Sequence, residues 1–202
     1  LLKHALPYTP LIECADENGH LFLDVTGCGR LFGPPADIAW RIRKAIQADL
    51  GLTPIWTVAA NKLVAKAASR LVKPWGEHLV EPGTEEAFLS PLPLQLLPGI
   101  ERPELLRLRD FHLRQAGEVV ALGLERLEIV LGRPAPARAM LRIVQGRDDT
   151  PVRSVQERRP VVMAEHLFGE DTNERRQVEG ALYALAESLG RQVYRRLADV
   201  PG

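Results

Sequence analysis

The chain has 202 residues, 46% hydrophobic and 26% charged, an ordinary globular composition long enough for more than one compact unit. Lys plus Arg and Asp plus Glu total 26 each, which excludes a broad electrostatic polyanion binder, so any such contact must be local. No apolar run reaches the ~18–20 residues that span a bilayer, no signal peptide is visible, and Cys14 and Cys28 are too few for a disulfide framework. Free thiols and a cytoplasmic, membrane-free protein are therefore expected, with a single Cys14–Cys28 bridge as the alternative. The start on Leu1 rather than Met suggests a piece of a longer chain.

Strand-like and helix-like segments alternate over residues 11–80. Asp16-Glu17-Asn18-Gly19 is turn material, and Leu21 to Thr26 is a short run of strand formers. Pro34-Pro35 opens a helix with Ile38, Ile42, Ala45, Ile46 and Leu50 on its apolar side, and Gly51 stops it. Residues 55–59 form the next strand. Asn61 caps a second helix that buries Leu63, Val64, Ala67, Ala68 and Leu71. Residues 77–80 form a last short strand. Strand, helix, strand, helix, strand predicts an α/β layer.

From residue 84 to 145 the pattern turns helical, in short pieces separated by Pro98-Gly99, Gly117, Gly123, Gly132 and Pro134. Arg147-Asp148-Asp149-Thr150-Pro151 reads as a linker. Residues 152–168 are strand-like, broken at Pro160. A long helix is expected from residue 171 to about 198, with Leu182, Leu185, Ala186, Leu189, Val193 and Leu197 on one face and Arg175, Arg176, Arg191, Arg195 and Arg196 on the other. One strand region and one helix cannot close a sheet, so this last part reads as incomplete.

Five short motifs occur in order: Tyr8-Thr9-Pro10-Leu11-Ile12-Glu13, Leu23-Asp24-Val25-Thr26, Asn61-Lys62-x-x-Ala65-Lys66, Lys73-Pro74-Trp75-Gly76 and Leu97-Pro98-Gly99-Ile100. Gly146-Arg147-Asp148-Asp149-Thr150-Pro151-Val152 follows them. Singly each reads as an edge strand, a helix start, a turn or a joint. Together their order and spacing resemble Y-family (translesion) DNA polymerases of the DinB/ImuB type. The resemblance implies an α/β (α+β) fold in three parts: a partial palm with a ferredoxin-like sheet at residues 1–90, a helical helix-hairpin-helix thumb at 91–146, and a linker with an incomplete little finger at 147–202.

The departures bear on chemistry. The family holds two Mg²⁺ ions on carboxylates, one from an N-terminal strand and two from an adjacent Asp-Glu pair five and four residues before the Leu-Asp aspartate. With Asp24 as that aspartate, the pair's places fall on Gly19 and His20. Glycine has no ligand atom, and imidazole is a poor match for Mg²⁺. Asp16-Glu17 stands three residues too early and would need a bulge to substitute. No catalytic and no metal-binding residue is assigned, and Mg²⁺ is expected only in an intact active polymerase. The lost acid pair, together with Thr26-Gly27-Cys28-Gly29-Arg30-Leu31-Phe32-Gly33, resembles the ImuB-like branch, which keeps the polymerase shape without the acids.

Two elements keep a use. Lys73 matches the family's lysine on the incoming triphosphate, a weak site when alone. The hairpin at Gly99, Ile100 and Arg102 offers backbone amides and a helix N-terminus to a DNA phosphate, which lets a neutral chain hold DNA. Glu101 replaces the second hairpin glycine; its charge is expected to repel phosphate and its side chain to restrict the turn. Arg107, Arg109 and Arg114 are further basic candidates, with a solvated helix face as the alternative. The five histidines lack ligand spacing, and Trp40, Trp56 and Trp75 read as core or rim. The expected function is a non-catalytic DNA-binding part of a translesion polymerase-like protein in DNA repair and damage-induced mutagenesis. An active lesion-bypass polymerase and a protein-interaction scaffold are the alternatives. The expected partner is primer–template or damaged DNA, with other replication or repair proteins as further candidates.

Overall fold

The computed structural model describes residues 1–14, 19–154 and 164–198, with side chains to residue 191. The chain separates into two compact units, Leu1–Glu157 and Arg158–Gly202.

In the first unit a short helix α1 (Leu2–Ala5) precedes an antiparallel hairpin of β1 (Ile12–Cys14) and β2 (Leu21–Leu23), registered Ile12 to Leu23 and Cys14 to Leu21. Buried Thr9 locks the hairpin base: its hydroxyl donates to the Asp24 carbonyl at 2.6 Å and accepts the Leu11 N–H at 3.1 Å. After α2 (Gly29–Phe32) comes α3 (Pro35–Leu50), entered through Pro34 and ended at Gly51 in a left-handed conformation. Only Ile38 and Ile46 of its stripe are fully buried; Ala45 and Leu50 face solvent. β3 (Trp56–Val58) pairs in parallel with β4 (Glu77–Leu79), and α4 (Lys62–Leu71) is the crossover between them. α4 buries Val64, Ala67 and Ala68, while Leu71, at the last turn, is exposed. Among the described residues the two strand pairs remain separate sheets.

The helical part follows as α5 (Glu85–Leu89), a 3-10 turn (Leu94–Leu96), α6 (Arg102–Asp110), α7 (Ala116–Leu122), α8 (Leu124–Leu131) and α9 (Pro134–Val144). One hydrophobic cluster runs from Val64, Ala67 and Ala68 of α4 through Leu89, Leu108, Val119 and Leu131 to Met140 and Val144 of α9. The α4 crossover thus belongs to the same core as the helices after it, and this fixes the sheet edge against the helical part. Gly123, Gly132 and Pro134 stand at helix boundaries as expected, but Gly117 lies inside α7. There its N–H bonds the Ser90 carbonyl at 2.8 Å, and a Cβ would collide with Ser90. Close approach of two backbones, rather than a joint, requires this glycine.

In the second unit, residues 164–174 carry no strand, nor do residues 151–154 that precede the boundary. The strand expected over 152–168 is therefore not formed in its described portions, and residues 155–163 lie outside the described set. Without a pairing partner a β-prone run cannot satisfy its backbone as a sheet. α10 (Arg175–Ala198) begins four residues later than expected. Its less exposed side runs through Val178, Ala181, Leu185 and Leu189, whereas Leu182 and Ala186 face solvent. The stripe is thus rotated by about one residue from the expected one. Arg175 and Arg191 of the basic face pair with Glu179 and Glu187 at 2.7 and 2.8 Å, (i, i+4) contacts that support the helix itself.

Candidate functional site

The α/β layer leaves a cavity of about 600 Å³ lined by β2 and β3 but by neither of their partners β1 and β4. The free edges of the two sheets therefore bound it, and Ile38, Ile42 and Ile46 of α3 also line it. Gly19, His20 and Asp24 line the same space. Asp24 is occupied as a turn former: its Oδ1 accepts the Thr26 N–H at 2.9 Å, and its own N–H bonds the Leu11 carbonyl. Among the described residues no group of three His, Cys, Asp or Glu side chains could hold a metal. The donors present do not fit a Mg²⁺ site, because Gly19 supplies none and His20 supplies imidazole. Asp16 and Glu17 lie outside the described residues.

The Asn61-Lys62 motif does structural work at the start of α4. The Asn61 side chain accepts the Val64 N–H at 2.9 Å as N-cap and donates to the Gly146 carbonyl at 2.8 Å. The Leu63 N–H bonds Asp148 Oδ2 at 3.2 Å, an anion placed at a helix N-terminus where the dipole favours it. Lys62 Nζ lies 2.9 Å from Glu13 Oε2, both side chains largely buried, and that oxygen also accepts the Arg153 N–H at 2.9 Å. Strand β1, helix α4 and the linker 146–153 are thereby strapped together. The motif spacing located Asn61 and Lys62, but nothing in the sequence paired them with Asp148 or Glu13.

A turn at Pro98 and Gly99 joins the 3-10 helix to α6. Gly99 has φ +85° and is exposed, a conformation that L side chains adopt only at a cost. Ile100 turns its side chain onto the hydrophobic cluster. The backbone N–H of Gly99 has no partner among the described residues, while the turn at residues 98–99 directs the Ile100 N–H back toward the Leu97 carbonyl. Glu101 is the N-cap of α6 with φ −80° and ψ 154°, ordinary extended backbone. Its side chain therefore does not restrict the turn, contrary to expectation, because the positive φ falls two residues earlier. The Glu101 N–H bonds Glu104 Oε2 at 3.0 Å, so one amide of the helix start is already spent. At the next hairpin Glu118 takes both the Arg114 and the Gln115 N–H, at 2.6 and 2.9 Å. Those bonds, Arg114 first, hold its carboxyl below the usual Glu range. Of these two hairpins only the first presents an unspent donor.

The basic candidates divide. Arg107 donates to the Leu131 carbonyl at 2.6 Å and closes the C-terminus of α8, so it is a structural group. Arg102, Arg109 and Arg114 are exposed, with side chains that make no hydrogen bond or ion pair among the described residues. Lys73 is exposed and likewise unpaired, beside a cis peptide to Pro74. Trp75 is 76% exposed and Trp40 48%, whereas Trp56 is half-buried beside the cavity. Cys14 and Cys28 are free, which leaves the alternative bridge unformed. Among the described residues no helix is long and apolar enough to cross a membrane.

Residues 1–70 match the impB/mucB/samB family. The chain is 36% identical over 189 residues to DNA polymerase IV of Alkalilimnicola ehrlichii, covering 94% of this chain and 52% of that protein. It is 35% identical over 189 residues to DNA polymerase IV of Neisseria meningitidis serogroup B, covering 94% and 58%. It spans about half the length of the curated relatives it matches. In fold it is similar to DinB from Sulfolobus solfataricus, with TM-score 0.60 and 26% identity over 73% of this chain and 43% of that one. An insertion ternary complex of Dbh DNA polymerase matches with TM-score 0.62 and 25% identity over 75% and 44%.

Proposed function

From a chain with the palm and thumb of the Y-family, DinB-type DNA polymerases, we propose a DNA-holding role in translesion synthesis and damage-induced repair, without nucleotidyl transfer by this chain. The contact is made by the thumb hairpin. The observation that carries this reading is the unspent amide of exposed Gly99, in a positive-φ turn leading into α6. An exposed N–H and the partial positive charge of a helix N-terminus suit one phosphate oxygen. Arg102, unpaired at the first position of α6, adds a full positive charge close to that turn. Lys73 would touch a nucleotide triphosphate only weakly.

Transfer chemistry is not assigned, because the residues at the expected acid positions are Gly19 and His20 and Asp24 is engaged by Thr26. The deciding experiment is a fluorescence-anisotropy titration of the 202-residue chain on primer–template duplex, beside Arg102→Gln and Gly99→Val. Both variants should bind more weakly. Gly99→Val also strains the backbone and presses on Ile143, 3.3 Å from a Cβ there, so its melting curve must show that it is folded at the binding temperature. Unchanged affinity in a folded Gly99→Val together with Arg102→Gln would reduce the hairpin to a helix joint.

A further inference from the structure

The flank of α6 carries a groove of about 700 Å³ that shares only Arg102 with the hairpin reading. Leu105, Leu106 and Leu113 line it, and Arg102, Arg109 and Arg114 stand in its lining as well. Positions 102, 105, 106 and 109 share one face of a helix by their spacing. The opposite wall is held in place by the Leu94 N–H to the Arg114 carbonyl at 2.9 Å and the Ala116 N–H to the Leu92 carbonyl at 3.1 Å. Among the described residues no acid lines the groove. The three guanidiniums make no ion pair or side-chain hydrogen bond among the described residues. Leu106 is 43% exposed, and neighbouring Phe111 is 57% exposed.

We propose that this groove binds an acidic, apolar-bearing peptide segment of a partner protein. The charge is complementary: none of the three arginines makes an ion pair among the described residues, although Arg114 attracts the Glu118 carboxylate at longer range. The apolar lining separates a peptide from a nucleic-acid strand. A phosphodiester backbone needs donors along its track, and bases need an aromatic platform, but no aromatic ring lines the groove. A segment that alternates Asp or Glu with Leu or Phe places its apolar side chains on Leu105, Leu106 and Leu113 and its acids on the arginines. Rigid guanidinium forks suit carboxylates in two-point contacts. The surface shares Arg102 with the hairpin reading but not Leu106, Arg109 or Arg114, so substitutions at those three positions test it separately.

The test uses the full chain and three fluorescein-labelled probes: a short peptide of Asp, Glu, Leu and Phe, its Asn/Gln counterpart, and a single-stranded oligothymidine. The acidic peptide should bind, and its counterpart should bind markedly less. Arg109→Glu with Arg114→Glu should weaken acidic-peptide binding about tenfold or more, since each reversal replaces an exposed attraction with a repulsion. Leu106→Ser should weaken it also at high salt, where the charge contribution is screened. Primer–template binding, measured in parallel, should respond to Gly99→Val and not to Leu106→Ser. If the oligothymidine binds, and the arginine reversals and Leu106→Ser abolish that binding while the peptide is indifferent to them, the groove is a nucleic-acid track and the proposal is overturned. Absence of peptide binding at low salt overturns it as well.

Discussion

Neutralising Glu101 should move two properties in opposite directions. Glu101 is exposed at the N-cap of α6, two residues after the unspent amide of Gly99. A carboxylate there complements the positive end of the helix dipole, a contribution of about 0.3–1 kcal/mol to stability. The same charge repels a phosphate drawn to that amide by on the order of 1 kcal/mol at low salt, a few-fold in Kd. Glu101→Gln keeps the side-chain volume and an oxygen acceptor, and it introduces no backbone freedom. Its φ of −80° needs no glycine, so Glu101→Gly would add unfolded-chain entropy and blur the result. The expected outcome is a slightly lower Tm with primer–template affinity a few-fold tighter at low salt. The gain should fade as salt rises, because the charge is exposed. Anisotropy titrations across a salt series measure both parts. Uncharged amides release no counterions, so the wild-type slope of log K against log salt should be shallow, about −0.9 for each phosphate neutralised by an arginine such as Arg102. A variant that binds no better, or binds worse while remaining folded, refutes the placement of phosphate at this turn.

Three further outcomes follow from the geometry. Purified chain should not extend a primer with Mg²⁺ or Mn²⁺; extension that vanishes on Asp16→Ala would place Asp16 and Glu17 at the acid positions and overturn the alignment on Gly19 and His20. Asn61→Ala removes the α4 cap and the donor to the Gly146 carbonyl, and should cost about 1–2 kcal/mol and raise amide exchange over residues 146–150, read by hydrogen-exchange mass spectrometry. The Glu118 carboxyl is held below its ordinary value of 4.5 by the Arg114 and Gln115 amides. Its stabilisation is thus present above the ordinary Glu range and lost as pH falls through the lowered folded value. The stability gap between wild type and Glu118→Gln, followed by denaturant unfolding, should be constant near neutrality and shrink in acid; a gap independent of pH would remove the charge from the explanation.

Local chemistry wrote much of this fold into the sequence. Pro34-Pro35 and Gly51 bound α3, Asn61 caps α4, and Gly99 takes the positive φ of the hairpin, because each needs only its own backbone and its nearest neighbours. The ordered motifs were enough to resemble a Y-family palm and thumb. Long-range pairing was beyond the sequence. Asp148 looked like linker polarity until the fold brought it to the N-terminus of α4, 85 residues away in the chain. Gly117 looked like a joint until Ser90 was packed against it. Arg107 and Arg109 differ by two positions on one helix, yet one is spent on the Leu131 carbonyl and the other stands unpaired over a groove. Periodicity places a residue on a face, but which carbonyl, carboxylate or empty space that face meets depends on elements distant in sequence. That choice is made by the shared core of α4 and the thumb helices, and it decides which donors of this neutral chain remain free to bind.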